Sequence, residues 1–202
     1  MSENFDATAS EAYTNRLRNR PGASWKRLVP DPYRRNIRRM KLGRMLDLGC
    51  GVGRCLGFND GNGVGVDHNP SSIAVCRERG FEAYTPEEFA VEDRGVFDSL
   101  LVSHVLEHMD ETAGIELLRP YLPSVRSGGR IVVITPQLAG QRSDPTHVRS
   151  IGDVEAARLL SQLGIEVEST RSFPFPKPFG RVFRYNETVV TGVLRGGVLR
   201  AD

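Results

Sequence analysis

The stretch Leu46–Gly53, which reads LDLGCGVG, decides the fold. An apolar run predicts a buried strand, three glycines follow at alternate positions, and a helical pattern comes next. Because glycine has no Cβ, the backbone can turn sharply there and a ligand can lie against it. The helix that follows offers free N–H groups to an anionic group. The segment therefore predicts a ligand-binding strand–turn–helix unit.

Three neighbouring residues sharpen that prediction. The glycine spacing is GxGxG, and Arg54 stands where a dinucleotide fingerprint needs a further glycine, so a nicotinamide cofactor is disfavoured. Asp67 ends the next predicted strand, where a carboxylate can accept hydrogen bonds from both hydroxyls of a ribose. Asp47 precedes the turn, where it can hold an ammonium group or order the loop.

Apolar runs alternate with helical patterns from Arg44 onward. Strands that alternate with helices imply parallel pairing and a doubly wound α/β sheet. The last two predicted strands alternate in polarity, which is typical of a closing hairpin. We predict strands at 44–48, 63–66, 81–84, 97–102, 130–135, 165–172 and 182–194, and helices at 71–79, 105–109, 112–122 and 153–163.

Composition narrows the class of protein. The chain has 202 residues, of which 39% are hydrophobic and 26% charged, so a folded core is expected. No apolar run approaches the ~18 residues of a membrane span, and the N-terminus lacks the apolar core of a signal peptide. Three cysteines without a paired spacing disfavour a disulfide scaffold and a cysteine-rich zinc site. We expect a cytoplasmic protein.

The net charge of +2 is unevenly distributed. Residues 1–44 hold eleven Lys and Arg and four acids, which gives +7 and leaves −5 for the remainder. A basic arm can attract an anion, but charge runs more often form solvated faces of amphipathic helices, which is the interpretation we favour. We divide the chain into a basic helical extension at 1–40 and a main domain at 41–202.

Four segments, taken in order, resemble the motifs of class I S-adenosylmethionine-dependent methyltransferases: 46–53, 65–67, 97–102 and 128–133. The resemblance covers about residues 40–195, and 105–108 narrows it to the group that includes ubiquinone-type and glycan-associated enzymes. It implies a Rossmann-like, seven-stranded, mostly parallel sheet whose last strand is antiparallel, with the N-terminal helices as a lid. It also implies S-adenosylmethionine as cofactor, leaving as S-adenosylhomocysteine.

The resemblance also implies roles for individual residues. Many family members have an aspartate after the third strand that binds adenine; this chain has none there, so Thr85 or Glu87 is the candidate. By position, the cofactor-binding residues are Gly49 and Gly51 against the methionine part, Cys50 within the turn, Asp47 near the amino group, Asp67 on the ribose, His68 beside the adenosine, Thr85 near adenine, and Ser103 with His104 beside the sulfonium.

Methyl transfer to a hydroxyl also requires that a proton be removed, and histidine suits that task because its ordinary pKa is near neutrality. His147 lies in a polar segment after the fifth predicted strand, on the ligand side of an open α/β sheet. We predict it as general base, with Asp144 orienting it and Arg149 holding an anionic substrate. His104 is the further catalytic candidate.

A mixed metal site is an alternative interpretation of the same residues. His104, Glu107, His108 and His147 could bind a divalent ion, as in the metal-dependent small-RNA and ubiquinone methyltransferases, where a Glu-x-x-Glu-His segment lies here. Leu-Glu-His also occurs in metal-free relatives, where the glutamate caps a helix and the histidine packs beneath the substrate loop. We favour the metal-free interpretation and assign no metal ligand.

The acceptor follows less directly from the sequence. Three aromatics held between prolines at 173–179 could wall an apolar or sugar-bearing molecule. We expect O-methylation of a small-molecule, glycan or secondary-metabolite hydroxyl, with an anionic or glycan acceptor. The alternatives are an RNA methyltransferase, disfavoured by the small net charge, and a non-catalytic S-adenosylmethionine-binding regulator. Pairing of two copies into a homodimer is left open.

Overall fold

The computed structural model describes residues 31–144 and 146–195. In chain order the elements are α1 (Pro32–Met40), β1 (Met45–Leu48), α2 (Arg54–Phe58), β2 (Gly63–Val66), α3 (Pro70–Glu78), β3 (Glu82–Tyr84), α4 (Pro86–Val91), β4 (Phe97–Ser103), a 3₁₀ turn (Leu106–His108), α5 (Glu111–Leu118), a second 3₁₀ turn (Arg119–Ser124), β5 (Val125–Pro136), α6 (Leu138–Gln141), α7 (Asp153–Gln162), β6 (Ile165–Phe173), a third 3₁₀ turn (Lys177–Arg181) and β7 (Glu187–Leu194).

The described residues form two compact units, divided between Arg94 and Gly95. The first unit has parallel strands in the order β3-β2-β1, and the second has the order β4-β5-β7-β6. Strand β4 pairs with β5 in parallel, whereas β7 is antiparallel to both of its neighbours. The strands give the predicted seven-stranded, mostly parallel α/β sheet. The predicted N-terminal lid lies largely in residues 1–30, outside the described residues.

The first unit is built around two short buried strands. All four residues of β1 are buried, and β2 pairs with it so that Leu46 lies opposite Val64. The first position of β2 requires glycine, because a Cβ on Gly63 would come within 2.1 Å of the Met45 carbonyl oxygen. Helix α1 begins at the Asp31 cap and buries one apolar face, as its sequence predicts.

The second unit places several chain segments at one sheet edge. Strand β6 is antiparallel to β7, which is antiparallel to β5, so β5 and β6 run in the same direction, as the sequence predicts. The carboxyl ends of β4, β5 and β6 and the start of β7 therefore lie at the same edge. In open α/β sheets ligands bind at that edge. The hydroxyl of Thr135, near the end of β5, donates to the carbonyl oxygen of Ile151 and fixes the long following loop.

Several predicted boundaries differ from the structure. The helix predicted at 105–109 is only a 3₁₀ turn, and the helix predicted at 112–122 ends at Leu118, because Pro120 and Pro123 interrupt helical hydrogen bonding. Strand β7 begins at Glu187 rather than at 182, since a 3₁₀ turn and a short loop occupy the preceding residues. Among the described residues, no helix is long and apolar enough to cross a membrane.

Candidate active site

The glycine turn after β1 has a conformation that side chains rarely adopt. Gly49, Gly51 and Gly53 all have positive φ, at 76°, 51° and 75°. The N–H groups of Gly49 and Cys50 both donate to the Val66 carbonyl oxygen, at 2.7 and 3.1 Å, which ties the turn to the end of β2. The backbone is therefore held in a tight loop that ends at the start of α2.

Replacing Gly53 with alanine should destabilise the fold, because the new Cβ would lie 2.7 Å from both Cys76 Sγ and a ring carbon of Phe81. Gly80→Ala is the matched control, since Gly80 has φ +81° but no atom within 4 Å of the place its methyl group would take. The control should lose ~1–2 kcal/mol of unfolding free energy from backbone strain, and Gly53→Ala a further ~1–3 kcal/mol from overlap. Urea denaturation measures both, and equal losses would contradict the packing argument.

Asp67 organises the turn from the end of β2. Its Oδ2 accepts a hydrogen bond from the Gly51 N–H at 2.8 Å, and its Oδ1 accepts from the Asn69 N–H at 2.9 Å. The sequence left it open that Asp47 orders the loop, but these contacts belong to Asp67. His68 lies beside it, with Nδ1 3.6 Å from Asp67 Oδ1. Each carboxylate oxygen of Asp67 retains lone-pair capacity toward a sugar hydroxyl.

Asp47 is buried, and its Oδ2 has no hydrogen-bond partner among the described residues. Burial, together with the nearby charge of Asp67, raises the pKa of Asp47 to about 7. Burying a carboxyl oxygen without a hydrogen-bond partner costs folding free energy unless a bound ligand donates a hydrogen bond to it. An ammonium group such as that of S-adenosylmethionine would do so, and with Asp67 and the glycine turn the residues present fit this cofactor.

Cys50 and Thr85 have structural contacts that the sequence did not reveal. Cys50 is buried against Gly65, where a Cβ would come 2.6 Å from its Sγ. Contact with Cys76 and burial raise the pKa of the Cys50 thiol, as expected of a packing residue rather than a nucleophile. Thr85 caps α4: its Oγ1 accepts from the Glu88 N–H at 3.3 Å. The adenine contact of Thr85 stays a prediction.

In the second unit, His104 follows Ser103 at the end of β4 with a left-handed φ of 58°. Its Nε2 lies 2.7 Å from Glu187 Oε1, and its Nδ1 lies 3.2 Å from Glu107 Oε1. Burial alone would lower the pKa of His104, but the two carboxylates raise it to about 10. His104 is thus a cation at neutral pH, hydrogen-bonded to Glu187 and ion-paired with Glu107.

The ion pairs of His104 predict a pH-dependent stability. Its folded pKa of about 10 exceeds its ordinary value of 6.5, so the stabilisation is complete below about pH 6.5 and is lost as pH rises toward 10. Glu187→Gln should therefore reduce the free energy of unfolding at pH 6 and have progressively less effect toward pH 10. Urea unfolding of both proteins across this range measures the difference. A cost of Glu187→Gln that is constant with pH would contradict the assignment.

His147 lies in the loop after β5 and is mostly buried, with 9% of its side chain exposed. Its Nδ1 is 3.0 Å from the Gln141 carbonyl oxygen, which can only accept, so Nδ1 carries a proton and, in the neutral ring, Nε2 carries the lone pair. Asp144 was expected to orient this ring, but its Oδ1 instead accepts from the N–H and the hydroxyl of Thr146, at 3.0 and 2.7 Å. The backbone carbonyl of Gln141 orients His147.

His108 and Glu107 approach His147 from the 3₁₀ turn after β4. Nδ1 of His108 donates to the Thr146 carbonyl oxygen at 3.1 Å, and the two imidazole rings lie edge to face with centroids 4.9 Å apart. Glu107 is fully buried, and its Oε1 lies 3.9 Å from Nε2 of His147. The Glu107 carbonyl oxygen accepts from the Val148 N–H at 2.8 Å, which fixes the loop over the turn.

Arg149, expected to hold an anionic substrate, makes a long ion pair with Glu111, in which its Nη1 lies 3.6 Å from the carboxylate. Its Nε and Nη2 are buried and have no hydrogen-bond partner among the described residues. Two buried guanidinium donors suit a carboxylate or phosphate oxygen. The substrate-binding role of Arg149 stays a prediction.

Sequence reasoning missed three residues of this unit: Glu187, Gln141 and Asn186. Asn186 is fully buried, and its side-chain NH₂ group donates hydrogen bonds to Gln137, Ser172 and the Phe175 carbonyl oxygen. Of these three residues, only Glu187 could have been noticed in the sequence, because it is an acid at the start of an otherwise apolar strand. Gln141 acts through a backbone carbonyl, for which no residue type is diagnostic.

The family model and the curated relatives that match this chain are both named as methyltransferases. Residues 46–133 match the model of a family described as "Methyltransferase domain". Curated relatives include tRNA (carboxymethyluridine(34)-5-O)-methyltransferases from Xenopus tropicalis and Mus musculus, 34% and 32% identical over 90 residues. Those 90 residues are 43% of this chain and 14% of each relative, so the chain spans only a small part of their length.

Solved structures share the fold at low identity. A SAM dependent methyltransferase from Archaeoglobus fulgidus has a TM-score of 0.66 at 20% identity, covering 91% of this chain and all of that one. A magnesium protoporphyrin IX methyltransferase from Synechocystis PCC 6803, solved with bound SAH, has a TM-score of 0.66 at 13% identity, covering 95% and 97%. Residues 46–133 therefore resemble a methyltransferase domain, and the chain shares its fold with these solved methyltransferases.

Proposed function

We propose that this protein transfers the methyl group of S-adenosylmethionine to an oxygen atom, the hydroxyl of a small-molecule acceptor. The first unit binds the cofactor through the glycine turn, Asp47 and Asp67, and the second unit binds and activates the acceptor. One observation carries the proposal: the Gln141 carbonyl oxygen holds the Nδ1 proton of His147, which leaves Nε2 of a mostly buried imidazole with its lone pair. That group suits a hydroxyl acceptor, which must lose a proton.

The reaction is an in-line displacement at the methyl carbon. A bond forms between the acceptor oxygen and that carbon, the carbon–sulfur bond breaks, and the electron pair of that bond stays on sulfur. The protein aligns the acceptor and promotes loss of the hydroxyl proton, and His147 is the residue assigned to this second task. His104 keeps a positive charge beside its two carboxylates, so it positions the neighbouring groups and does not accept the proton.

An aromatic loop supports an acceptor with a planar or apolar body. Phe175 lies with its ring centroid 5.6 Å from that of Phe179 and 5.2 Å from that of Phe183, and the first two are about half exposed. The N–H of Phe175 donates to Asn186 at 2.9 Å, next to Glu187, which holds His104. The loop therefore offers aromatic ring faces to an acceptor beside the polar residues Asn186, Glu187 and His104.

An acceptor screen tests the proposal. The full chain is incubated with S-adenosylmethionine and, separately, with phenolic, sugar and carboxylic-acid acceptors, and formation of S-adenosylhomocysteine is measured. Turnover with a hydroxyl acceptor, suppressed in His147→Gln, supports it. Turnover that requires RNA, or that is unchanged in His147→Gln, contradicts it.

RNA is a second candidate acceptor, and two observations favour it. The names of the curated relatives specify O-methylation of a carboxymethyluridine in tRNA, and residues 1–44 carry an excess of seven positive charges. Phosphate contacts make binding strongly salt-dependent. Retention of a tRNA pool that falls steeply between about 50 and about 200 mM salt would support RNA as acceptor, and absence of retention at the lower concentration would remove it.

A further inference from the structure

We propose that Glu107, His108 and His147 bind one divalent ion of the first transition row. The three side chains each offer one ligand atom, and these atoms lie within 4.8 Å of one another. Two ligand atoms on one ion, each bound at ~2.0–2.2 Å, lie ~3–4 Å apart, so the cluster needs only small inward shifts to close on an ion. Two of the ligands lie on the 3₁₀ turn after β4 and the third on the loop after β5.

Both imidazoles are already oriented as metal ligands are. Nδ1 of His108 donates to the Thr146 carbonyl oxygen at 3.1 Å, and Nδ1 of His147 donates to the Gln141 carbonyl oxygen at 3.0 Å. Metal-bound histidines almost always donate their second ring N–H in this way, which fixes the tautomer and the ring direction. Both Nε2 atoms are left with lone pairs, and the rings lie within edge contact of each other.

Glu107 supplies an independent observation. It is fully buried, and neither carboxylate oxygen has a hydrogen-bond partner of good geometry among the residues that the structure describes. The nearby ion pair with His104 compensates charge at Oε1 but does not supply a hydrogen bond to Oε2. A buried carboxylate without hydrogen-bond partners costs folding free energy. An ion bound to the two Nε2 atoms would supply the missing partner for the Glu107 oxygens.

His104 is not one of the ligands, although its place in the sequence suggests it. Its two ring nitrogens lie against the carboxylates of Glu187 and Glu107, at 2.7 and 3.2 Å, so both carry protons and neither offers a lone pair to an ion. The structure thus divides the four-residue pattern into a ligand set of three and a separate imidazolium. This division distinguishes the proposed site from the set that the sequence pattern suggested.

The donor set limits the identity of the ion. Two imidazoles and one carboxylate favour Zn²⁺, Co²⁺, Mn²⁺ or similar ions over Mg²⁺ and Ca²⁺, which prefer oxygen ligands. Three protein ligands leave positions open for water or an acceptor oxygen. Coordination of the acceptor hydroxyl there would make its proton acidic enough to pass to water, with Nε2 of His147 holding the ion instead of taking the proton. This role rests on the proposed function, whereas binding of the ion does not.

Cobalt titration tests the site without an activity measurement. The metal-free full chain is titrated with Co²⁺, visible absorption is recorded, and calorimetry with Zn²⁺ and with Mg²⁺ gives affinity and stoichiometry. We expect one Co²⁺ or Zn²⁺ per chain and much weaker Mg²⁺ binding. His108→Gln, His147→Gln and Glu107→Gln should each weaken binding by at least ~10–100-fold, the loss already caused by removing a supporting group.

Two controls make the titration decisive. Glu116→Gln makes the same chemical change at an exposed position of α5 and should bind the ion as the wild type does. His104→Gln should weaken binding less than His108→Gln or His147→Gln, because His104 supports Glu107 at 3.2 Å but lends no ligand atom. Failure of the wild type to bind Co²⁺ or Zn²⁺, or unchanged binding in both His108→Gln and His147→Gln, overturns the site. Ion binding without any effect of chelators on turnover supports the site and overturns its role in activating the acceptor.

Discussion

His147→Gln is expected to lower kcat by ~10²–10⁴-fold, the range for loss of a group that assists proton transfer, while the Kd for S-adenosylmethionine stays unchanged. Glutamine preserves much of the volume of the ring but has no basic nitrogen. The residue lies in the second unit, away in sequence from the glycine turn and from Asp47 and Asp67, to which we assign the cofactor. Steady-state kinetics with the acceptor found in the screen, together with calorimetry, separates the two effects.

Added imidazole provides the control for that experiment. His147→Gly removes the ring and leaves room for a free imidazole, which binds weakly and is added at about millimolar concentration. Partial recovery of kcat would assign the effect to the missing nitrogen. A purely structural role predicts no recovery and a lower unfolding temperature. Normal kcat in His147→Gln at saturating acceptor would refute the assignment.

The sheet could be predicted because its strands are locally encoded. Strands such as Gly63–Val66 and Phe97–Ser103 are apolar runs between turn residues, and the structure has them within one residue of the predicted bounds. Helix ends were less accurate where 3₁₀ turns replace α-helix, as at Leu106–His108. Those turns depend on the tertiary contacts of Glu107 and on the prolines after α5, which periodicity does not register.

The candidate site was predictable only in part. Asp67 and the glycine turn lie within one local pattern, so the sequence places them together. His104 and Glu187 are separated by 83 residues and meet only because β7 returns antiparallel to β5, with Glu187 opposite Pro136. Likewise, Gln141 replaces Asp144 as the partner of His147 through a backbone atom. Such pairings come from topology and backbone direction, and one sequence carries no signal for them.

The second large effect is expected at Asp67, and the geometry predicts an order among its variants. Both carboxylate oxygens accept a backbone N–H, from Gly51 and from Asn69. An asparagine has one oxygen and one NH₂ group, so in either orientation it must aim a donor at one of those N–H groups. Asp67→Asn therefore loses one charge-assisted hydrogen bond and gains a repulsion, and Asp67→Ala loses both bonds.

The Kd for S-adenosylmethionine should rise accordingly. A hydrogen bond to a charged group contributes ~1.5–3 kcal/mol, or roughly 10- to 100-fold in an equilibrium constant. Asp67→Asn should thus weaken binding by about this factor, and Asp67→Ala by more, because the turn then lacks both anchors as well as the ribose contact. Asp60→Asn, an exposed carboxylate paired with Arg34 and Arg38, is the matched control and should bind normally.

Calorimetric titration with S-adenosylmethionine and S-adenosylhomocysteine measures this series. Both ligands carry the ribose and the ammonium group but differ at sulfur. The Asp67 variants should therefore lose the same factor of affinity for each of them. An effect confined to S-adenosylmethionine would instead connect Asp67 with the sulfonium. Wild-type affinity in Asp67→Asn would mean that the glycine turn keeps its shape without the carboxylate, because the hydrogen bonds from Gly49 and Cys50 to Val66 then suffice to hold it.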